Sequence, residues 1–302
     1  MEGGHMASLS HREKTKKVWS ILFILPSFLI LFLFVVYPLG YTFFLSLCKY
    51  NFSYDQKPDF YGLGNFVDMF KDLQFRSALG TTIHFAVWDF MLMMGCSLLL
   101  ALMLFFKGEH TWFFRTAIFA PIVIPASLVC IVFSWLLAEN FGLFNKFLGN
   151  VLGHPSWTKA WLTNAKTALG CMVVVNLWCN IGFETILFLS GLQGISQDYL
   201  EAADIDGATG LKKITRIILP NLKQTYIITG IWATVATLKV FVEPSVMTNG
   251  GPGRATTVLY LYIYNNAFKY WELGYSSSMA FFLSIIILLI SLVQFILNNR
   301  EA

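Results

Sequence analysis

The chain has 302 residues, of which 56% are hydrophobic, 17% aromatic and 13% charged. Soluble domains carry about 25% charged residues, so this composition excludes an ordinary soluble protein and indicates an integral membrane protein. The net charge of +4 is small, and the basic residues lie between apolar segments rather than in one patch. This distribution argues against a nucleic-acid partner.

Apolar segments follow one another along the chain, each long enough to cross a hydrocarbon core about 30 Å thick as a helix. Lipid offers backbone groups no hydrogen-bond partner, and these continuous runs lack the alternation of barrel strands. The first segment is too long for the core of a signal peptide and is expected to remain as an anchor. We therefore predict an all-α integral membrane protein with six transmembrane helices, near 18–46, 79–106, 113–137, 168–191, 225–244 and 277–298.

Basic residues precede the first predicted span, and such residues favour the cytoplasmic side of a membrane. Residues 1–17, of which 1–8 resemble an appended tag, are therefore expected to form a cytoplasmic N-terminal segment. Six spans then return the C-terminus to the cytoplasm, and the stretches near 107–115 and 193–223 face the same side. The basic residues in question are Arg12, Lys14, Lys16 and Lys17.

The stretch NFGLFNKFLGNVLG, between the third and fourth predicted spans, has apolar residues at helical spacing. This pattern is typical of an amphipathic helix that lies along the membrane interface. A helix that packs on the bundle is the alternative. The spaced residues are Phe141, Phe144, Phe147, Leu148 and Val151.

Residue patterns for catalysis and metal binding are not found in the sequence. All five cysteines lie in or beside apolar segments with no C-x-x-C pair, so we interpret them as core residues and predict no metal site. Neither H-E-x-x-H nor G-x-S-x-G occurs, and the chain is therefore not expected to be an enzyme.

A polar stretch, EAADIDGATGLKKITRIILP at residues 201–220, separates the fourth and fifth predicted spans. Helix-forming residues precede Gly207, and a basic run after it ends at Pro220. The stretch therefore predicts a helix, a tight turn and a second helix. By composition alone, a solvated loop is the simpler interpretation.

The order of the residues in this stretch carries a family resemblance. It reads E-A-A, three residues, G, nine residues, then I-x-L-P, and resembles the signature loop of permease subunits of binding-protein-dependent ABC importers. TNGGPGRATTVLYLYIYNNAF and FRTAIFAPIVIPASLVCIVFSWLL are similar to two further stretches of the sugar permeases in this family. The resemblance covers nearly the whole chain from about Val18. It implies the type I ABC importer permease fold of the maltose- and glycerol-phosphate-type carbohydrate group.

The resemblance also implies a domain plan and a coupling role. The first transmembrane helix, 18–46, precedes a permease domain at 75–298 with five further helices and a cytoplasmic coupling loop at 193–223. In this family the loop docks into a groove on an ATPase and transmits its closure. A carboxylate near the start of a helix suits its positive dipole end. The residues carried over are Glu201, Ala202, Ala203, Asp204, Gly207, Ala208, Ile217, Leu219 and Pro220, of which the last three are expected to anchor the loop and end its second helix.

Polar and aromatic residues on the spans before and after the loop form a candidate substrate site. Asn176, Asn180 and Phe183 or Glu184 share one helical face, and sugars are bound by amides and aromatic faces. Family resemblance places the sugar pocket on these two spans. The candidates are Asn176, Trp178, Asn180, Phe183, Glu184, Ala233, Thr237 and Lys239. Interhelical hydrogen bonds are the alternative role, and Lys239 is expected to pair with Glu243 on the same helix.

Taken together, the resemblance implies the permease subunit of an ATP-driven sugar importer in the cell membrane. Its implied partners are a second homologous permease in a heterodimer, two cytoplasmic ATPases that bind ATP and magnesium, and an extracytoplasmic sugar-binding protein. This chain has no G-x-x-x-x-G-K-[ST] motif and no expected cofactor of its own. Alternatives are a permease for polyols, glycerol phosphate or another small solute, an ion-coupled secondary transporter with Asp89 and Glu184 as relays, and a membrane transferase.

Overall fold

The computed structural model describes residues 16, 19–20, 22–107 and 112–299, and most of them are helical. The basic residues Arg12, Lys14 and Lys17 of the expected cytoplasmic segment lie outside the described residues. Backbone contacts divide the chain into two compact units. One comprises Met1–Met69 and Asn266–Phe281, and the other comprises Phe70–Asn265 and Phe282–Ala302.

The first unit contains one long helix and a short hairpin. Helix α1 (Leu22–Ser46) includes a π-helical turn at Phe32–Val36 and buries none of the residues in its most apolar window. Strands β1 (Cys48–Lys49) and β2 (Asp59–Phe60) pair antiparallel. The buried Asn65 amide donates to the carbonyl oxygens of Ser46 at 2.9 Å and Cys48 at 2.8 Å, and thereby fastens the end of α1 to the hairpin.

The remaining helices follow in chain order, and two of them are joined to short π-helical turns. They are α2 (Gly64–Lys71), α3 (Leu73–Lys107), α4 (Trp112–Val123), α5 (Ala126–Leu136), α6 (Leu143–Lys146), α7 (Ala168–Gln193), α8 (Gln197–Ile205), α9 (Leu211–Lys213), α10 (Lys223–Leu238), α11 (Leu259–Phe268) and α12 (Leu273–Asn299). The π-helical turn Phe147–Val151 extends α6, and Ile214–Ile218 extends α9.

Helix α7 is the centre of the second unit. It packs against α3, α4 and α10, and 56% of its most apolar window is buried, against 33% for α3. Gly182 permits the close approach of α4, because an added Cβ there would lie 2.5 Å from the backbone oxygen of Ile118. Small residues have this role at helix contacts in membranes, where close backbone packing replaces the hydrophobic effect.

Two apolar clusters lie at different levels along α7. One joins its N-terminal half to Phe85 of α3, to α5 and to the segment that follows α10. The other joins the C-terminal ends of α3 and α7 to residues after Gln193. Because the C-terminal ends of both helices enter the same cluster, α3 and α7 run in the same direction.

Two of the predicted spans are interrupted. The span predicted at 113–137 consists of α4 and α5, which meet at an angle of 99°, with Pro125 at the break in an extended conformation. The continuous helix predicted over 225–244 is wrong, because α10 ends at Leu238 and residues 239–241 are not helical. Proline explains the second break as well. The ring of Pro244 disfavours a helical carbonyl four residues earlier, at Val240.

In the described part of the chain, five of the six predicted spans correspond to helices long and apolar enough to cross a membrane, when the bent pair is counted as one span. Among the described residues, α1, α3, α7 and α12 are each long and apolar enough to cross a membrane, and the bent pair passes the same test jointly. Helix α10, with 16 residues, is the remaining apolar helix in the predicted order.

Replacing Gly182 tests the contact between α4 and α7. We expect Gly182→Val to lower the melting temperature of the detergent-solubilised protein by about 2–12 °C, because overpacking costs about 1–3 kcal/mol. Gly80→Val on α3 is the matched control, since a Cβ at Gly80 meets nothing within 4 Å. Equal melting temperatures for both variants, measured by fluorescence-detected size exclusion, would show that the α4 to α7 contact is not tight.

Candidate functional site

The polar stretch after α7 forms the predicted helix, turn and helix. Ser196 caps α8, since its hydroxyl accepts from the Asp198 backbone N–H at 3.3 Å. At the other end, the Ala208 N–H donates to the Ala203 carbonyl at 2.8 Å and the Gly207 N–H donates to Asp204 at 3.1 Å. This is the Schellman arrangement, which requires a left-handed residue. Gly207 supplies it with φ of +73°.

An ion pair links the two arms of this turn. Lys213 Nζ donates to both carboxylate oxygens of Asp204, at 2.7 and 2.8 Å. The lysine side chain is 15% exposed and the aspartate 58% exposed, so solvent screens the pair and its contribution to stability is small. The pair nevertheless joins α8 to α9 across the turn.

Three residues of this segment anchor it to the helix ends. Leu200 of α8 and Ile218 and Leu222 beyond α9 are buried in the cluster that contains the C-terminal ends of α3 and α7. Of the expected anchors, Ile217 and Leu219 are half-buried and Pro220 is exposed. Pro220 also lies within a helical turn, Leu219–Asn221, and does not end it.

The opposite side of the segment exposes both charge and apolar surface. Glu201 and Ala202 are exposed, while Ala203 faces inward. Three large apolar side chains are also exposed: Tyr199 by 62%, Ile205 by 87% and Leu211 by 78%. Sequence reasoning missed these three, although apolar residues in such a charged stretch were the available signal. We call Tyr199, Ile205 and Leu211 the exposed tip.

A second group of polar residues is buried between the spans. The Asn176 side-chain N–H donates to Glu243 Oε1 at 3.0 Å and so connects α7 to the segment after α10. Glu184 of α7 is also buried, and its Oε2 has no partner among the described residues. Asp89 of α3 is fully buried, and neither of its carboxylate oxygens has a partner among the described residues. Buried carboxyl groups without partners at membrane depth are costly and usually functional.

The candidate aromatic residues contact neighbouring helices. Trp178 packs on Phe133 of α5 with ring centroids 5.6 Å apart, and Phe183 packs on Trp232 of α10 at 4.7 Å. The Asn180 side chain donates only to the Asn176 carbonyl of its own helix, at 3.0 Å. Asn180 shares the face of α7 that carries Asn176 and Glu184, whereas the Trp178 and Phe183 rings contact α5 and α10.

The candidates on the helix after the loop are also dispersed. Ala233 and Thr237 are buried, and Thr237 lines a cavity of about 430 Å³ with Thr82 and Gln294. Lys239 is exposed and lines a separate groove beside α12. The expected Lys239–Glu243 pair on one helix is wrong, because the helix ends at Leu238 and Glu243 instead binds Asn176.

The structure therefore places Asn176 and Glu184 in the interior, with Asn180 between them on the same face of α7, and distributes the other candidates elsewhere. Sequence reasoning missed Glu243 as the partner of Asn176. Among residues 22–107 and 112–299, no group of three or more His, Cys, Asp and Glu side chains is arranged to hold a metal ion.

Comparison with known proteins identifies relatives along almost the whole chain. Residues 93–302 match the family model described as binding-protein-dependent transport system inner membrane component. The chain is 33% identical to the probable ABC transporter permease protein YurN of Bacillus subtilis, over 92% of this chain and 95% of that protein. It is 31% identical to the multiple sugar-binding transport system permease protein MsmF of Streptococcus mutans, over 96% and 98%.

Structural comparison confirms the predicted fold. A chain from the crystal structure of a bacterial alginate ABC transporter, in complex with an alginate pentasaccharide-bound periplasmic protein, superposes with a TM-score of 0.81. The match covers 96% of this chain and 97% of the other at 22% sequence identity.

Removing the Asn176 amide tests the interior polar contact. We expect Asn176→Ala to destabilise the protein by about 1–3 kcal/mol, because Glu243 loses a buried donor. The matched control Asn180→Ala should change stability far less, since its amide serves only its own helix. In a Glu243→Gln background the cost of Asn176→Ala should shrink by at least 0.5 kcal/mol, about the smallest coupling seen between contacting residues. Additive losses in thermal stability would contradict the contact.

Proposed function

Since the chain belongs to the binding-protein-dependent transport system inner membrane components, a family of ABC transporter permeases and not of enzymes, we propose that it is the permease subunit of an ATP-driven sugar importer. It forms half of the translocation pathway and couples to a cytoplasmic ATPase through residues 193–223. The observation that supports this proposal most directly concerns the segment with α8 and α9. This segment is buried against the C-terminal ends of α3 and α7, and it also exposes the apolar side chains of the exposed tip.

Coupling requires that a force on the tip reach the transmembrane helices. Leu200 and Ala203 are on the same short helix as Tyr199 and Ile205, so displacement of the tip displaces the buried residues too. Leu200 belongs to the same apolar cluster as Phe188 and Leu192 of α7. Packed interfaces respond to such displacements by moving as bodies. ATPase closure would therefore move the C-terminal ends of α3 and α7 together.

The hydrogen bonds of the turn support this transmission. The Schellman hydrogen bonds at Gly207 and the Asp204–Lys213 pair join α8 to α9. Glu201 and Ala202 lie on the exposed surface beside the tip, where Glu201 is available to a basic residue of the ATPase. Gly207 and Ala208 form the turn, while Ile217, Leu219 and Pro220 follow it toward α10.

The name of the Streptococcus mutans relative supports a sugar as substrate. Hydroxyl groups of a sugar donate hydrogen bonds, and the interior offers unpartnered acceptors on Asn176, Glu184 and Asp89. A polyol or another hydroxyl-rich solute would satisfy the same acceptors. Asn180 lies between Asn176 and Glu184 on one face of α7. The remaining candidates would complete a site only with surfaces from a partner, and they are Trp178, Phe183, Ala233, Thr237 and Lys239.

Membership of the permease family supports the proposed assembly. A second homologous permease supplies the other half of the pathway, two cytoplasmic ATPase subunits bind ATP and magnesium, and an extracytoplasmic binding protein delivers the sugar. The transporter lies in the cell membrane, with both termini of this chain in the cytoplasm. Helix α1, which buries nothing in its most apolar window, is free to contact lipid or the second permease.

Changing the exposed tip tests the coupling proposal. We expect Ile205→Asp to reduce co-purification of the ATPase subunits at least tenfold, because it places a charge in an apolar contact, while the amount and melting temperature of the chain stay unchanged. Phe60→Asp in β2 is the matched control, since Phe60 is 78% exposed and lies outside the coupling segment. Undiminished co-purification with Ile205→Asp would show that the ATPase docks elsewhere.

Vesicles that contain the co-purified complex test the energy source and the substrate. We expect uptake of a radiolabelled oligosaccharide to require ATP on the ATPase side and to persist when a protonophore dissipates the proton gradient. Uptake that stops with the protonophore at constant ATP would favour ion coupling through Asp89 and Glu184. Uptake of glycerol phosphate but of no sugar would retain the permease and change its substrate class.

A further inference from the structure

A large apolar groove lies in the second unit, away from the interior polar residues. It has a volume of about 680 Å³ and is bounded by α5, the amphipathic segment at 143–151 and the beginning of α7. Apolar side chains form most of its wall, including Phe133, Leu137, Phe144, Trp161 and Val174. Gly170 leaves part of the wall open, because a Cβ there would meet nothing within 4 Å.

One end of the groove is cationic. Lys166 lines it beside Thr167 and is exposed. Within the described part of the chain, Lys166 makes no ion pair or side-chain hydrogen bond. Thr167 has its hydroxyl occupied, since it donates to the Trp161 carbonyl at 2.7 Å. The connection at 138–167 carries three lysines and one acidic residue, Glu139, so an anion is favoured at this end.

The wall of the groove is held in place by a buried amide. Asn145 donates to the carbonyl oxygens of Glu139 at 3.1 Å and Lys159 at 2.9 Å. Its side-chain oxygen accepts from the Trp161 indole N–H at 2.7 Å. The amphipathic segment is thereby fixed against the residues that precede α7, and the groove exists without an occupant to shape it.

The residues around the groove indicate which end faces the hydrocarbon core of the membrane and which end faces the lipid headgroups. Helix α5 exposes Leu128, Val132 and Trp135 on a span segment, so this wall continues into hydrocarbon. The amphipathic segment exposes Phe147 and Val151, as helices at the interface do, and Trp is enriched at that depth. The groove therefore extends from the hydrocarbon core to Lys166 at the level of the headgroups.

We propose that this groove binds one phospholipid with an anionic headgroup, with an acyl chain along Phe133, Phe144 and Val174 and the phosphate against Lys166. The groove suits both parts of the lipid. The acyl chain would contact apolar side chains, and the phosphate would contact a lysine that has no carboxylate partner. An apolar helix from another chain would fill the slot but would leave Lys166 without an anion.

Photo-crosslinking of the full-length chain tests the site. The protein, with its co-purifying partners, is reconstituted in phosphatidylcholine vesicles that contain a trace of acyl-diazirine phosphatidylglycerol or acyl-diazirine phosphatidylcholine. Labelled peptides are then mapped by mass spectrometry. We expect labels within residues 133–174, with about fivefold preference for phosphatidylglycerol, the preference that one lysine near the surface provides.

Two sets of variants test separately the part of the groove that would bind the acyl chain and the part that would bind the headgroup. Gly170→Leu should reduce labelling in 133–174 at least fivefold by filling the groove, whereas Gly95→Leu on α3, where a Cβ also meets nothing within 4 Å, should not. Lys166→Glu should abolish the phosphatidylglycerol preference, and Lys57→Glu should retain it. Unchanged labelling with Gly170→Leu, equal labelling by both lipids in the unaltered chain, or crosslinks from the groove to a co-purified permease would each overturn the proposal.

Discussion

The absence of hydrogen-bond partners in a bilayer is the constraint on which the rest of this structure depends. Every interruption of a transmembrane helix exposes backbone groups that lipid cannot satisfy, and the described part of the chain has two, between α4 and α5 and after α10. Val240, in the second interruption, packs in the apolar cluster on the N-terminal half of α7, whereas residues 123–125 at the first interruption are exposed. Helix α7 therefore shields the non-helical backbone after α10 from hydrocarbon.

The interruption after α10 also brings polar groups into the interior. Where the helix stops, the chain turns Glu243 toward α7, and Asn176 meets it with a 3.0 Å hydrogen bond. A continuous helix would have kept Glu243 near Lys239, four residues earlier. Because the helix is broken, Glu243 contacts Asn176 of α7 and not Lys239 of its own segment. Lys239 lines an exposed groove beside α12.

The C-terminal half of α7 has a different role. Its apolar cluster holds the ends of α3 and α7 against Leu200, Ile218 and Leu222 of the segment 193–223, so the same helix shields a break at one end and receives the anchored loop at the other. A movement of α8 acts on α7 directly. Because α7 also carries Asn176 and Glu184, the proposed mechanical input and the proposed substrate contacts lie on one rigid element.

Sequence patterns predicted much of this fold for physical reasons. Hydrophobic length located the spans, and the Gly207 spacing predicted the turn, because only a residue that tolerates positive φ fits there. The fully buried anchors are Ile218 and Leu222, which together with the partly buried Ile214 recur every four residues. That apolar spacing was the available signal in the sequence.

The arrangement of the candidate substrate residues could not be predicted from the sequence in the same way. Residues at helical spacing share a face, but a face becomes a pocket only where a neighbouring helix leaves room. On α7, Trp178 and Phe183 are each covered by an aromatic residue of an adjacent helix. Asn176 and Glu184 remain in the interior with acceptors unfilled. One chain thus supplies acceptors without an enclosing aromatic wall, which is what half of a shared pathway would contribute.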